Sequence, residues 1–276
     1  HGGGVYSSGT DQVSGGHFEW NLAGGGGGAM YVTGPALSVT GTQFIANTAG
    51  GDGGATDSNM TFLTRTLYLG NVAGQKGGAL NADGTLNISQ SRFIANRAAS
   101  GGGVYQTVGD GLVVNALFAR NSASSTNGNA LYLASAGAVK VLHTTIASPT
   151  LSSGDAVRIT AGNVGITDTI VSSHTIGVNV SGGTGFENYN LFYGNTLNTF
   201  GMGGGSGVND LVGNPLFVNP PGDNYRLLRL SPAIDTGANV GVSVDLDGRP
   251  RPAFLTFDIG AYEYQPIPLF LPLIAR

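Results

Sequence analysis

A glycine-led motif returns along this chain at a nearly constant spacing, and that spacing limits the fold more than any other feature. GGGVY at Gly2–Tyr6 recurs as GGAMY at Gly27–Tyr31, GGAT at Gly53–Thr56, GGAL at Gly77–Leu80, GGGVY at Gly101–Tyr105, GNALY at Gly128–Tyr132 and GDAV at Gly154–Val157. A second motif keeps the same phase: FEWN at Phe18–Asn21, FIAN at Phe44–Asn47, YLGN at Tyr68–Asn71, FIAN at Phe93–Asn96, FARN at Phe118–Asn121 and FYGN at Phe192–Asn195. Each unit is about 25 residues long, a length that belongs to solenoids, in which every repeat is one coil stacked on the next.

The stretches between the motifs alternate apolar and polar residues, as in Ala36-Leu37-Ser38-Val39, Thr85-Leu86-Asn87-Ile88 and Ala138-Val139-Lys140-Val141. A period of two marks half-buried strands. Short strands and glycine corners without a helical period predict an all-β fold, a right-handed parallel β-helix of about seven to eight coils over residues 1–195. The 48 glycines of the 276 residues fit that reading, because corners need backbone angles that a Cβ disfavours. Val39, Phe62, Ile88, Val113 and Val141 each precede another apolar residue by five positions. The expected stacked core is therefore Phe44, Leu67, Phe93, Phe118 and Ile146. The recurring Asn47, Asn71, Asn96 and Asn121 are expected to form a structural ladder, their amides bonding the backbone and one another from coil to coil.

The pairing of GGA-apolar with FxxN resembles the repeat of the polymorphic outer membrane proteins and, more widely, the right-handed β-helices of the pectate-lyase-like superfamily. The resemblance implies architecture, which those proteins use for adhesion and display as well as for polysaccharide cleavage. Beyond residue 196 the sequence changes. Asn214-Pro215-Leu216-Phe217-Val218, Ser231-Pro232-Ala233-Ile234-Asp235-Thr236-Gly237, Asp245-Leu246-Asp247-Gly248-Arg249-Pro250-Arg251 and Asp258-Ile259-Gly260-Ala261-Tyr262-Glu263 follow in order. The series resembles the module that closes β-helices in bacterial surface proteins of the choice-of-anchor type. It implies export and an irregular C-terminal capping or assembly module over 196–276. Asp245 and Asp247, two apart, are candidate calcium ligands, with pairing to Arg249, Arg251 and backbone N–H groups as the alternative. In the apolar tail 265–276, Ile267, Leu269, Phe270, Leu271, Leu273 and Ile274 are candidates for docking on another copy by strand addition.

Charge narrows the partners. The net charge is −4 and no Lys or Arg run exists, which argues against nucleic acid. No stretch reaches the roughly 20 apolar residues of a spanning helix, so no membrane span is expected. The absence of cysteine excludes disulfides and thiolate chemistry. The acids of the repeats, among them Asp52, Asp57, Asp83 and Asp110, do not recur in phase. His1, His17, His143 and His174 have no metal-ligand spacing, His143 falls where an alternating strand should face solvent and is expected at the surface, and no nucleophile elbow or phosphate loop occurs. A non-catalytic role without a cofactor is thus expected. The leading expectation is an extracellular or cell-surface structural protein, exported with loss of an N-terminal segment and assembling head-to-tail with copies of itself. A surface adhesin or glycan-binding β-helix is the first alternative, and a polysaccharide lyase or hydrolase the second.

Overall fold

The computed structural model describes residues 2–124, 127–134, 136–202 and 207–266. The chain is a parallel β-solenoid of about eight coils. The fourth coil shows the plan. Leu80–Ala82, Leu86–Ser89 and Arg92–Ile94 form three strands, and the short Arg97–Ala98 forms a fourth. Each strand pairs in parallel with its counterpart one coil before and one coil after.

This register turns sequence periodicity into columns. Met30, Thr56, Leu80, Val104, Leu131, Val157 and Val178 succeed one another on the first strand. Val39, Leu63, Ile88, Val113, Val141 and Ile166 do so on the second. The third strand stacks Phe18, Phe44, Tyr68, Phe93 and Phe118, then Ile146, Val171 and Phe192. From Phe44 to Phe118 the ring centroids are 4.7 to 5.0 Å apart and within 8° of parallel, which the coil spacing of about 4.8 Å imposes. These columns form one continuous core.

One expected core position moves by a residue. In the third coil the inward pair is Leu63 and Tyr68, whereas Phe62 and Leu67 are half-buried and face outward. Phe62 pairs with the outward Ser38 and Asn87, and Leu67 with Gln43 and Arg92. A five-residue spacing joins the outward pair as well as the inward one. On a strand, an offset of one residue exchanges the faces.

The outward face of the third strand is itself apolar, and the irregular C-terminal module covers it. Ile94, Leu117, Ala119 and Ala147 pack with Tyr225, Leu246, Ala261 and Tyr262. Farther along, Ile170 and Leu191 pack with Leu227, Ala233 and Ile259. What the module caps is thus the flank of the solenoid. A polar rail guides it. At the corner after the second strand, Gln90, Asn115, His143 and Asp168 occupy left-handed backbone positions on successive coils. Gln90 Nε2 donates to the carbonyl of Asp245, and Asn115 Nδ2 to that of Val244. Asp168 Oδ1 accepts from the Ala238 N–H.

Candidate functional site

The asparagine ladder runs through the buried turn that ends each third strand. The residue before each Asn (Trp20, Ala46, Gly70, Ala95, Arg120) has a positive φ, which turns the chain and aims the next side chain along the solenoid axis. Asn47 Oδ1 accepts from the backbone N–H and the amide of Asn21, and Asn71 Oδ1 does the same for Asn47. Asn96 serves Asn71, and Asn121 serves Asn96, at 2.9 to 3.0 Å. Each amide also donates to a carbonyl of the aromatic column one coil back: Phe18, Phe44, Tyr68 and Phe93. These amides have no surface to offer a ligand, since Asn47, Asn71 and Asn96 are completely buried.

A different column reaches solvent through its tyrosines, while its Asp57, Asn81 and Asn179 are buried. The residue that follows the inward position of the first strand faces outward, and in register it reads Tyr6, Tyr31, Asp57, Asn81, Tyr105, Tyr132, Arg158 and Asn179. Two tyrosine pairs flank a polar notch. Tyr6 and Tyr31 lie 5.8 Å apart, and Tyr105 stacks on Tyr132 at 4.7 Å. Lys76 Nζ sits 5.2 Å from the Tyr105 ring centre. In the notch, Asn81 Nδ2 donates to Asp57 Oδ1 at 2.8 Å.

Asp57 is only 6 % exposed, yet it lines a cavity of about 120 Å³ with Tyr31, Thr33, Ser58, Asn59 and Asp83. Its seat depends on a glycine: a Cβ on Gly26 would stand 2.1 Å from Asp57 Oδ2. Burial pushes the Asp57 carboxyl up to about 6. The Asn81 bond opposes that shift, while the carboxylates of Asp83 and Asp52 reinforce it. Asp83 is exposed and accepts from the Thr107 hydroxyl. Asp52 accepts from the Lys76 N–H. Carboxylates therefore dominate the notch, and its flanks are aromatic. Sequence alone separates Asp57 from Asp83 by 26 residues. The available signal was the Tyr closing four of the glycine motifs, whose outward direction follows from strand alternation.

The acids proposed for calcium have protein partners. Asp245 Oδ1 accepts from the N–H groups of Asp247 and Arg249, and Oδ2 from that of Glu263. Asp247 is bound by Arg92 at 2.8 Å and by Arg226 at 2.7 Å. Among the described residues no three His, Asp or Glu side chains are grouped to hold a metal ion. These carboxylates tie the module together and to the flank. So does the buried pair of Arg251 and Glu263, 2.7 Å apart. His143, expected at the surface, is instead completely buried on the rail, 3.5 Å from Asp168, and burial depresses its imidazole to about 3. Ile267, Leu269, Phe270, Leu271, Leu273 and Ile274 lie outside the described residues.

Among the described residues no helix is long and apolar enough to cross a membrane. Compared with known proteins, the chain matches no family model, no curated protein and no solved structure.

Proposed function

We propose that this solenoid is an exported surface protein that binds a neutral polysaccharide along its lateral tyrosine row. The observation that carries the reading is the pairing of two aromatic platforms with a polar notch on one straight, rigid face. Tyr rings offer flat apolar area to the C–H faces of sugar rings, with few rotors to immobilise. Asp57 and Asp83, which line the cavity between the platforms, offer acceptors for hydroxyls, while the buried Asn81 amide holds Asp57 in place. The notch also selects by charge, because Asp52, Asp57 and Asp83 oppose a polyuronide and Lys76 is engaged over Tyr105. An extended chain lying across coils is the ligand shape such a row accepts. Surface location and adhesion agree with the resemblance of the GGA and FxxN motifs to bacterial surface proteins.

The test is calorimetric titration with cellohexaose, xylohexaose, mannohexaose and maltohexaose, with polygalacturonate as the charged control. Tyr31→Ala and Tyr105→Ala are each expected to weaken binding about tenfold, roughly the 1–3 kcal/mol of a lost ring contact. Tight binding of polygalacturonate, or affinity untouched by both substitutions, contradicts the reading.

A second reading is association with other copies into a filament or surface layer. Two end rungs favour it. Val212, which pairs with Phe192 at the end of the third-strand column, is 78 % exposed, and Phe200, paired with Asn179 at the end of the outward row, is 54 % exposed. Sedimentation velocity over a hundredfold concentration range separates the two, with growing species expected only if the ends associate.

A further inference from the structure

We propose that the C-terminal module carries a second binding site, a pocket for an amphiphilic anion whose carboxylate meets Arg229 and Arg249 and whose alkyl chain lies on Val218, Leu228 and Tyr264. The site is separate from the tyrosine row, which stands on the outward face of the first strand, whereas the module covers that of the third.

A hairpin builds one wall of the pocket. Phe217–Asn219 pairs antiparallel with Asn224–Leu227, and the Leu228 N–H donates to the Leu216 carbonyl. Alternation turns Phe217 and Leu227 onto the solenoid flank and leaves Val218 and Leu228 exposed. The segment through Glu263 and Tyr264 adds a second wall, held where the Tyr264 N–H donates to Asp258 Oδ2 at 2.6 Å. With Arg226, Arg229 and Arg249 these residues line a cavity of about 260 Å³. Sites for small molecules begin at about 300 Å³, so the space suits a short ligand.

Charge singles out two of the lining groups. Arg226 is bound to Asp247 at 2.7 Å and stands 5.0 Å from the Tyr262 ring centre. Glu263 accepts from Arg251 and the Asp258 N–H at one oxygen and from the Ala253 N–H at the other. Arg229 and Arg249 are exposed and make no ion pair among the described residues, whereas Arg92, Arg120, Arg158, Arg226 and Arg251 all do. Their backbones are fixed by turns. The Ser231 N–H donates to the Leu228 carbonyl around Arg229, and Arg249 exchanges bonds with Asp245 through its N–H and its carbonyl. Two uncommitted guanidiniums can take a carboxylate through paired N–H bonds. The apolar walls give an alkyl body somewhere to leave water, which a bare anion does not use.

Calorimetric titration of the full chain with octanoate tests the site, with 1-octanol and acetate as the apolar and charged halves of the ligand. A single octanoate is expected per chain, with each half weaker by at least about tenfold, the scale of losing the charged bonds or the apolar contact. Arg229→Gln combined with Arg249→Gln is expected to weaken octanoate by about tenfold or more and to leave octanol unchanged. Leu228→Asn is expected to weaken octanoate and leave acetate unchanged, and Tyr31→Ala to alter none of the three. Octanol or acetate binding as tightly as octanoate overturns the proposal, because one half of the site is then idle. No octanoate binding at millimolar concentration overturns it too, as does affinity untouched in the double arginine variant with circular dichroism unchanged. Binding that emerges only after removal of residues 267–276 would make that segment the occupant and overturn it. Co-sedimentation with phosphatidylglycerol vesicles in the absence of octanoate binding would assign the patch to a membrane surface instead. None of these outcomes changes the reading of the tyrosine row.

Discussion

At the scale of single residues, the molecule depends on side chains that repair what a coil leaves unpaired. Asn71 is the clearest case, since it accepts two bonds from Asn47 and donates to Asn96 and the Phe44 carbonyl. Asn71→Ala orphans several buried groups at once and is expected to cost about 2–3 kcal/mol, read as a lower urea midpoint. Tyr68→Ala empties a fully buried site in the aromatic column and is expected to cost about 3–5 kcal/mol, against under about 2 kcal/mol for the half-buried Leu67→Ala. Equal losses would restore Leu67 to the core. The ladder was legible in sequence because Asn recurs in phase. The third-coil register was not, because Phe62-Leu63 and Leu67-Tyr68 are apolar at both adjacent positions and only pairing with neighbouring coils selects a face. Asp57 adds a pH effect. Its folded carboxyl is raised to about 6 from an ordinary 3.8, so the unfolded chain releases its proton first as pH rises. Stability from this group is full below about pH 4 and declines by about 2–3 kcal/mol up to about pH 6. Asp57→Asn is expected to flatten that decline in denaturation series between pH 4 and 7.

At the scale of elements, the strands have two apolar faces on one side of the coil, and this determines where the C-terminal module goes. Leu117 and Ile170 point outward and are nevertheless buried beneath it. The corner residues before them, Asn115 and Asp168, hold module backbone. Leu117→Asp places a charge in that contact and is expected to speed proteolysis within residues 207–264 at least tenfold, with the solenoid's far-ultraviolet dichroism unchanged. Unaltered cleavage would show that the flank contact does not hold the module. That the repeat gives way to irregular chain was legible from the break in its phase and the Pro-rich series. The module's position was not, because the cue is spread over Leu67, Ile94, Leu117 and Ile170, whose alternation reads as ordinary strand until three dimensions place them in one stripe. The same burial explains His143, which the chain alone presents as a surface residue of an alternating strand.

At the scale of the whole molecule, stacking converts a weak local preference into a long, straight surface. A single Tyr at the end of one glycine motif means little. In register, Tyr6 and Tyr31 with Tyr105 and Tyr132 become two platforms, and the departures from the repeat at Asp57 and Asn81 become the notch between them. The repeat was therefore legible from sequence and the candidate site was not, since a site consists of the positions where the repeat is broken. The central claim is that this row receives a neutral glycan, and tyrosine side-chain NMR of the full chain titrated with cellohexaose, xylohexaose, mannohexaose and maltohexaose tests it most directly. Saturable shifts at Tyr31, Tyr105 and Tyr132, with the module's buried Tyr225 and Tyr262 unmoved, are the predicted result. Shifts confined to other tyrosines, or none with any of the four at millimolar concentration, would contradict it.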